Sequence, residues 1–219
     1  MARVRVSNFS ISLDGYGAGP DQDADHPLGR GGERLHEWIF LTRSGRSMRG
    51  LPGGEGGIDD QQFARRYQGV AATIMGRNMF GPVRGPWDDS RWAGWWGSDP
   101  PFHHPVFVLT HHHRPPIELE GGTTFHFVDA GIEAALALAR EAARGADVAV
   151  GGGVATLRQF LRAGLIDDLH LVLVPLLLGG GERLFEDVEV GPDAYECVER
   201  ISSPSVIHVR LTRSTSTSP

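Results

Sequence analysis

Residues 148–161 read VAVGGGVATLRQFL: a short apolar run, three glycines in a row, then a segment with helical spacing. Residues 147–150 predict a strand. Residues 155–162 predict a helix, because Leu157, Phe160 and Leu161 recur at i, i+3 and i+4. Gly151, Gly152 and Gly153 therefore stand at a strand-to-helix joint. The start of a helix exposes N–H groups without intrahelical acceptors and carries a partial positive charge. Glycines let an anion approach that backbone with no Cβ in the way. The spacing is neither GxGxxG nor a Walker A motif, so a tight turn and a phosphate cradle explain the three glycines equally well on their own.

Outward from this joint, strands and helices alternate. Residues 3–13, 70–75, 105–110, 124–127 and 169–178 predict strands, the last interrupted by Pro175. Residues 33–42 and the alanine-rich 132–144 predict helices, and Asp59 with Asp60 opens a short one through Phe63 and Tyr67. Residues 43–57, rich in glycine, predict a mobile loop, and 81–104 an irregular one holding Trp87, Trp92, Trp95 and Trp96. Residues 193–201 and 205–213, joined at SSPS, predict a closing antiparallel hairpin. The pattern is that of an α/β fold with a mainly parallel central sheet, flanking helices and an antiparallel edge. We expect one domain over 1–213 and a disordered tail over 214–219.

Composition narrows the chemistry. The chain has 219 residues, 40% of them hydrophobic, enough for a core without disulfide staples. Cys197 is the sole cysteine, which fits a reducing compartment. The formal net charge of −6 argues against a dedicated nucleic-acid binder. No apolar run approaches the roughly 20 residues of a membrane span, and the N-terminus lacks a signal-peptide core. The expectation is a cytoplasmic protein that touches neither membrane nor nucleic acid. All 21 basic residues are arginine, which excludes a P-loop lysine, a Schiff-base lysine and a lysine base.

Two further strand ends carry anion-compatible residues. MGRNMFG (75–81) runs a strand into Gly76 and Arg77, and a guanidinium there can fork onto a phosphate. VLTHHHRP (108–115) ends a strand at Thr110, with Arg114 four residues on. Adjacent histidines point in different directions, and His103, His104 and His126 come with no carboxylate or cysteine pattern, so no metal site is expected. Ser10 and Ser12 lack a nucleophile-elbow context.

Taken together, SISLDGYGA (10–18), LHEWIF (35–40), TIMGRNMF (73–80), VFVLTH (106–111), the long run 148–185 and SPSVIHVRLTR (203–213) resemble the dihydrofolate reductase-like family. The likeness is to the branch of the reductase domain in bifunctional riboflavin-biosynthesis proteins. It implies an eight-stranded, mostly parallel sheet that binds NADPH at its strand ends, and pairing into a homodimer. Carried over by position, Gly76, Arg77, Asn78, Met79 and Phe80 meet the cofactor phosphates. Thr110 and His111, with Arg114, lie near the adenosine 2′-phosphate. Gly151, Gly152, Gly153, Val154 and Ala155 cradle the pyrophosphate, and Ser10, Gly17 and Ala18 border the nicotinamide. Asp14 faces the substrate as a candidate catalytic group or orders its loop.

The departures fall on the substrate side. Dihydrofolate reductases carry an acid on the first helix where this chain has Leu35. Riboflavin-pathway reductases carry a glutamate where it has Val150, and their phosphate-binding lysine cannot exist here. The expected activity is NADPH-dependent hydride transfer to a C=N or C=O of a small pterin- or pyrimidinone-like substrate, its proton coming from Asp14, Glu37, a histidine or water. The alternative is a catalytically inactive relative that binds NADP or a small ligand.

Overall fold

The computed structural model describes residues 2–81, 85–87 and 91–214. In chain order the strands are β1 (Val4–Ser12), β2 (Tyr16–Ala18), β3 (Val70–Gly76), β4 (Pro105–Leu109), β5 (Ile117–Glu118), β6 (Thr124–Val128), β7 (Asp147–Gly152), β8 (Asp168–Val174), β9 (Glu182–Arg183), β10 (Tyr195–Ser202) and β11 (Ile207–Arg213). The helices are α1 (Glu37–Leu41), α2 (Arg43–Ser47), α3 (Ile58–Ala64), α4 (Arg77–Phe80), α5 (Gly131–Ala143) and α6 (Val154–Arg162).

Among the described residues nine strands form one sheet in the order β10-β11-β8-β1-β7-β3-β4-β6-β5, and β2 pairs with β9 in a separate ribbon. The six strands from β8 to β6 run parallel; β11 and β10 close one side antiparallel and β5 the other. The sheet thus has one strand more than the eight implied. The two-residue β5 folds back on β6 through Gly121 and Gly122, both at positive φ. β1 sits mid-sheet, with β3, β4 and β6 laid down on one side and β8 on the other. Such a reversal of winding leaves a crevice beyond the strands' carboxyl ends.

Apolar residues account for both faces. α5 turns Ile132, Ala135, Leu136, Ala139 and Ala143 inward, and α6 adds Leu157, Phe160 and Leu161; these join Val4, Val6, Ile74, Val148, Val150 and Leu169 in one core. Val150 is 1% exposed, a core residue of β7. A second cluster joins Leu35, Trp38, Ile39 and Phe63 to Val172, Val174 and Val206. Of the strand expected over 169–178, residues 169–174 are thereby packed within the subunit, between β1 and β11, whereas the strand ends before Pro175 and Leu177 is exposed.

Two further stretches depart from the sequence expectation. The helix over 33–42 divides into a 3-10 turn, Gly32–Leu35, and α1, with His36 at the break. The mobile loop over 43–57 contains α2. Thr42 Oγ1 accepts the Gly45 N–H at 3.0 Å, Asp60 Oδ1 accepts the Ser44 N–H at 2.7 Å, and the Glu55 backbone exchanges hydrogen bonds with Leu41 and Arg43. Polar caps and backbone pairs order this segment, which hydrophobic periodicity does not reveal. Of the expected tail, Ser214 donates its N–H to Ala194 and 215–219 lie outside the described residues.

Candidate functional site

Parallel pairing sets the carboxyl ends of β1, β7 and β3 side by side, Met75 lying opposite Gly152. Beyond those ends opens a cavity of about 930 Å³. Ser10, Gly17, Ala18, Gly76, Arg77, Asn78, Met79 and the whole run Gly151–Ala155 line it. Segments up to about 140 residues apart in the sequence thus converge on one space. The Trp-rich segment adds Trp95 and Trp96 as a wall, α1 contributes Phe40, and Met48 follows from the C-cap of α2.

The glycines do different work. A Cβ on Gly76 would strike Thr156 Oγ1, and one on Gly17 would lie 2.8 Å from Val154 Cγ2, so these two permit α6 to sit tight against β3 and β2. Gly152 has φ +133°, a conformation side-chain-bearing residues rarely adopt, and its peptide bond to Gly153 is cis. Gly153 is the N-cap of α6 at φ −73°, with no side-chain cap bond, and a Cβ there would meet nothing within 4 Å. A nine-residue helix therefore starts at the cavity with uncapped N–H groups and open space before them. This donor set fits the pyrophosphate of a dinucleotide.

Of the other expected residues, Arg77 borders the cavity, and Thr110, His111, Arg114 and Phe80 lie elsewhere. The Arg77 guanidinium stacks over Trp87 at 3.5 Å. Arg114 lies 4.8 Å from the same ring centroid and donates to the Trp92 carbonyl at 2.6 Å. Thr110 Oγ1 accepts the His112 N–H at 3.1 Å, and His111 is exposed. Thr110, His111 and Arg114 do not line the main cavity; Arg114 borders a separate depression with His113 and His126. Phe80 is fully buried against Phe125, Phe127 and Trp87, behind the cavity wall.

Asp14 also lies outside the lining. Its carboxylate accepts from Ser12 Oγ at 2.5 Å and from the Leu178 and Gly179 N–H groups at 3.1 and 2.8 Å. The Ser12 hydroxyl leads these donors in holding its pKa down to about 2. The carboxylate stays ionised and ties the turn after β1 to the chain beyond β8.

Sequence reasoning missed Asn8, which lines the cavity from β1 at φ 54°, where the register to β8 shifts. Its amide donates to the Gln62 carbonyl at 3.2 Å. A bulge inside an otherwise regular strand has no signature in apolar alternation. His36 lines the same cavity, and burial holds its imidazole below the ordinary pKa. Glu37, next to it, is exposed and outside the lining. The tryptophans mostly pack: Trp87, Trp92 and Trp96 join Phe80, Phe102 and Phe125 in a third cluster. His104 Nε2 lies 2.7 Å from Thr73 Oγ1 and His126 stacks on Phe107; among the described residues no three His, Cys, Asp or Glu side chains converge as for a metal ion. Among the described residues no helix is long and apolar enough to cross a membrane.

Comparison with solved structures finds the same fold in a riboflavin biosynthesis protein from Shewanella sp. PV-4, at 23% identity and TM-score 0.59, covering 98% of this chain and 99% of that one. A pyrimidine reductase-like protein from Corynebacterium diphtheriae follows at 15% identity and TM-score 0.54, covering 98% and 93%. A diaminohydroxyphosphoribosylaminopyrimidine deaminase/5-amino-6-(5-phosphoribosylamino)uracil reductase from Thermotoga maritima, at 17% identity and TM-score 0.52, is matched over 97% of this chain and 57% of its own length. No curated protein matches the chain. The model of the RibD C-terminal domain matches residues 4–215, nearly the whole sequence, and the chain belongs to the RibD C-terminal domain family.

Proposed function

We propose that the protein is an NADPH-dependent reductase that transfers hydride to a C=N or C=O carbon of a small, pterin- or pyrimidinone-like substrate. Family membership supports the oxidoreductase class. The observation that carries the cofactor is the uncapped start of α6, which opens through Gly151–Gly153 into the 930 Å³ cavity. In this reading the amides around Gly153, Val154 and Ala155 hold the pyrophosphate. Gly76, Arg77, Asn78 and Met79 border the phosphates, with Thr110, His111 and Arg114 toward the adenosine end. Ser10, Gly17 and Ala18 face the nicotinamide. Bound NADPH supplies the hydride; the chain binds, orients and excludes water. Phe80 supports the phosphate side from the core, and Asp14 orders the loop after β1. The cavity lies near the upper end of the about 300–1,000 Å³ of small-molecule pockets, a volume compatible with part of a dinucleotide beside a small substrate.

Titration of the purified protein with NADPH, followed by fluorescence, tests the reading. Saturable binding below millimolar cofactor is expected, weakened by Arg77→Ala combined with Gly152→Asp. Absence of binding, or binding unchanged in the double variant, overturns it. A second reading, a ligand-binding relative without turnover, draws on the locked carboxylate of Asp14 and the outward position of Glu37. NADPH-bound protein that oxidises no cofactor against pterin, pyrimidinone and carbonyl compounds selects it. Pairing as a homodimer belongs to the first reading, and light scattering measures it.

A further inference from the structure

Three of the large apolar side chains that the fold leaves exposed line the same cavity: Phe40 at 36%, Met48 at 38% and Trp95 at 40%. They arrive from α1, from the C-cap of α2 and from the loop after α4, so no single amphipathic element explains their meeting. Single exposed apolar residues are ordinary on a protein surface, whereas several converging on a cleft mark where apolar ligand surface belongs. The aromatic ones are held in place. Trp95 stands edge-on to Trp92 at 4.7 Å between ring centroids, and the Trp92 indole donates to the Phe80 carbonyl at 2.9 Å. Beside it, Trp96 stacks on the buried Phe125 at 6.0 Å and 17°, and meets Phe102 edge-on at 4.9 Å. Phe40 follows the buried Trp38 and Ile39 on α1. A pre-ordered aromatic wall offers its surface to a flat ligand at little entropic cost.

The charge on this wall runs against an anion. The chain has no lysine. Among the described residues the arginines lining the cavity are Arg49 and Arg77, and the carboxylates are Asp99 and Glu182. Arg77 opens α4 at the strand end given to the cofactor phosphates, and its guanidinium lies over Trp87. Arg49 then stands against two carboxylates for whatever lies beside the cofactor. It is exposed, and its guanidinium rests over Phe40, 4.4 Å from the ring centroid, so its planar face extends the aromatic wall. His36 adds no positive charge at pH 7, since burial holds its imidazole below the ordinary pKa. A substrate phosphate calls for converging cations or backbone donors, and the donors at the start of α6 are already assigned to the pyrophosphate. A phosphate set on the aromatic wall would lose its hydration without that return.

We infer that the substrate is an uncharged heterocycle bearing a flat apolar substituent, which packs on the wall of Phe40, Met48, Trp95 and Trp96, and that it carries no phosphate ester. The inference rests on the reductase reading for the ring that takes the hydride, and narrows the substrate class within it.

The test uses the full chain with NADP⁺ present and two matched probes. One is 2-amino-6-phenylpyrimidin-4-one, which is neutral; the other is the same compound with a phosphate ester on its phenyl ring. Calorimetry measures probe affinity in wild type, Trp95→Ala, Trp95→Phe and Arg49→Gln, and NADPH affinity is measured in parallel. Wild type is expected to bind the neutral probe at least about tenfold more tightly than the phosphorylated one. Trp95→Ala should weaken the neutral probe by about fivefold or more, and Trp95→Phe, which keeps a ring, should recover part of the loss. NADPH affinity should stay within about twofold of wild type in both Trp95 variants, which also reports that they are folded. Arg49→Gln should leave the phosphorylated probe as weak as in wild type. Equal or tighter binding of the phosphorylated probe overturns the inference, and its loss in Arg49→Gln would identify Arg49 as a phosphate anchor instead. Neutral-probe affinity unchanged in Trp95→Ala overturns it too, as does a wild type that binds NADPH but neither probe. Failure of wild type to bind NADPH is a different outcome, and it overturns the reductase reading together with the inference built on it.

Discussion

At the residue scale, the three glycines that pose the question in the sequence prove to be non-equivalent. Gly152 is demanded by its backbone, at φ +133°, whereas Gly153 adopts φ −73°, open to any residue, with no atom within 4 Å of a Cβ. Neither φ nor crowding therefore demands a glycine at position 153; the proposed anion at the helix start would account for it. Aspartate there would supply an N-cap oxygen and a favourable charge for the helix dipole, while placing that charge where the cofactor phosphate is proposed to sit. We predict that Gly153→Asp keeps its circular dichroism spectrum and weakens NADPH binding by at least about tenfold. Undiminished affinity would show that the glycine serves geometry alone. The neighbouring Val150 was legible as a departure from the riboflavin-pathway pattern, and its 1% exposure gives the reason it cannot replace a glutamate: it belongs to the core of β7. Asp14 was legible only as an acid after a strand. Its three donors come from Ser12, Leu178 and Gly179, and the last two are about 165 residues away, beyond any local reading.

At the element scale, the central strands and the two longer helices were legible because apolar periodicity reports burial, and these elements turn buried residues inward; β10, with no buried residue, was legible from the turn that joins it to β11. The short ones were not. α2 is held by Thr42, Asp60 and Glu55 through polar and backbone bonds, β5 is two residues long, and the break at His36 follows from a 3-10 turn instead of from any proline. One polar link between elements was equally hidden. His170 on β8 has Nε2 3.1 Å from His208 Nδ1 on β11, and His208 Nε2 is 2.9 Å from Asp59 Oδ1 on α3. Burial first, then the charges of His208, Arg210 and Arg5, lowers the His170 pKa to about 3. The folded state thus favours neutral His170, while the unfolded chain protonates near 6.5. Stability from this residue is complete above pH 6.5 and is lost as the pH falls from there toward 3, with a slope of at most about 1.4 kcal/mol per pH unit. His104, lowered to about 4 mainly by burial, adds loss of the same sign. Urea denaturation between pH 7.5 and 4.5 should therefore show falling stability, and His170→Gln should reduce the slope without abolishing it. A slope identical in the variant would remove His170 as its source.

At the scale of the whole molecule, the sheet order explains why the site was visible as separate fragments and not as a site. Residues near 10, 76 and 151 meet because β7 inserts between β1 and β3, a topology no local pattern states. The fragments on the proposed cofactor side were recognisable since each is a strand end with glycine or arginine. The opposite wall was not, because it is assembled from the bulge at Asn8, the break at His36 and the loop holding Trp95 and Trp96. A ligand in this cavity touches strands from the centre of the sheet, the start of α6 and segments from both of the flanking layers. Its binding energy is consequently coupled to global unfolding and not to one loop. A ligand that binds only the folded chain stabilises it by about 2.7 kcal/mol at a hundredfold excess over Kd. For a chain of this length each kcal/mol moves Tm by about 2–4 °C. We therefore expect NADPH at a hundredfold excess to raise Tm by roughly 5–10 °C in one cooperative transition. At the same cofactor concentration a tenfold weaker Gly153→Asp should show about half that shift or less. A biphasic melt in which only one phase responds would show instead that the cavity belongs to a subregion that unfolds apart from the rest. A saturable fluorescence change with no Tm shift would show that the ligand binds folded and unfolded chain alike, and would remove the folded cavity as its site.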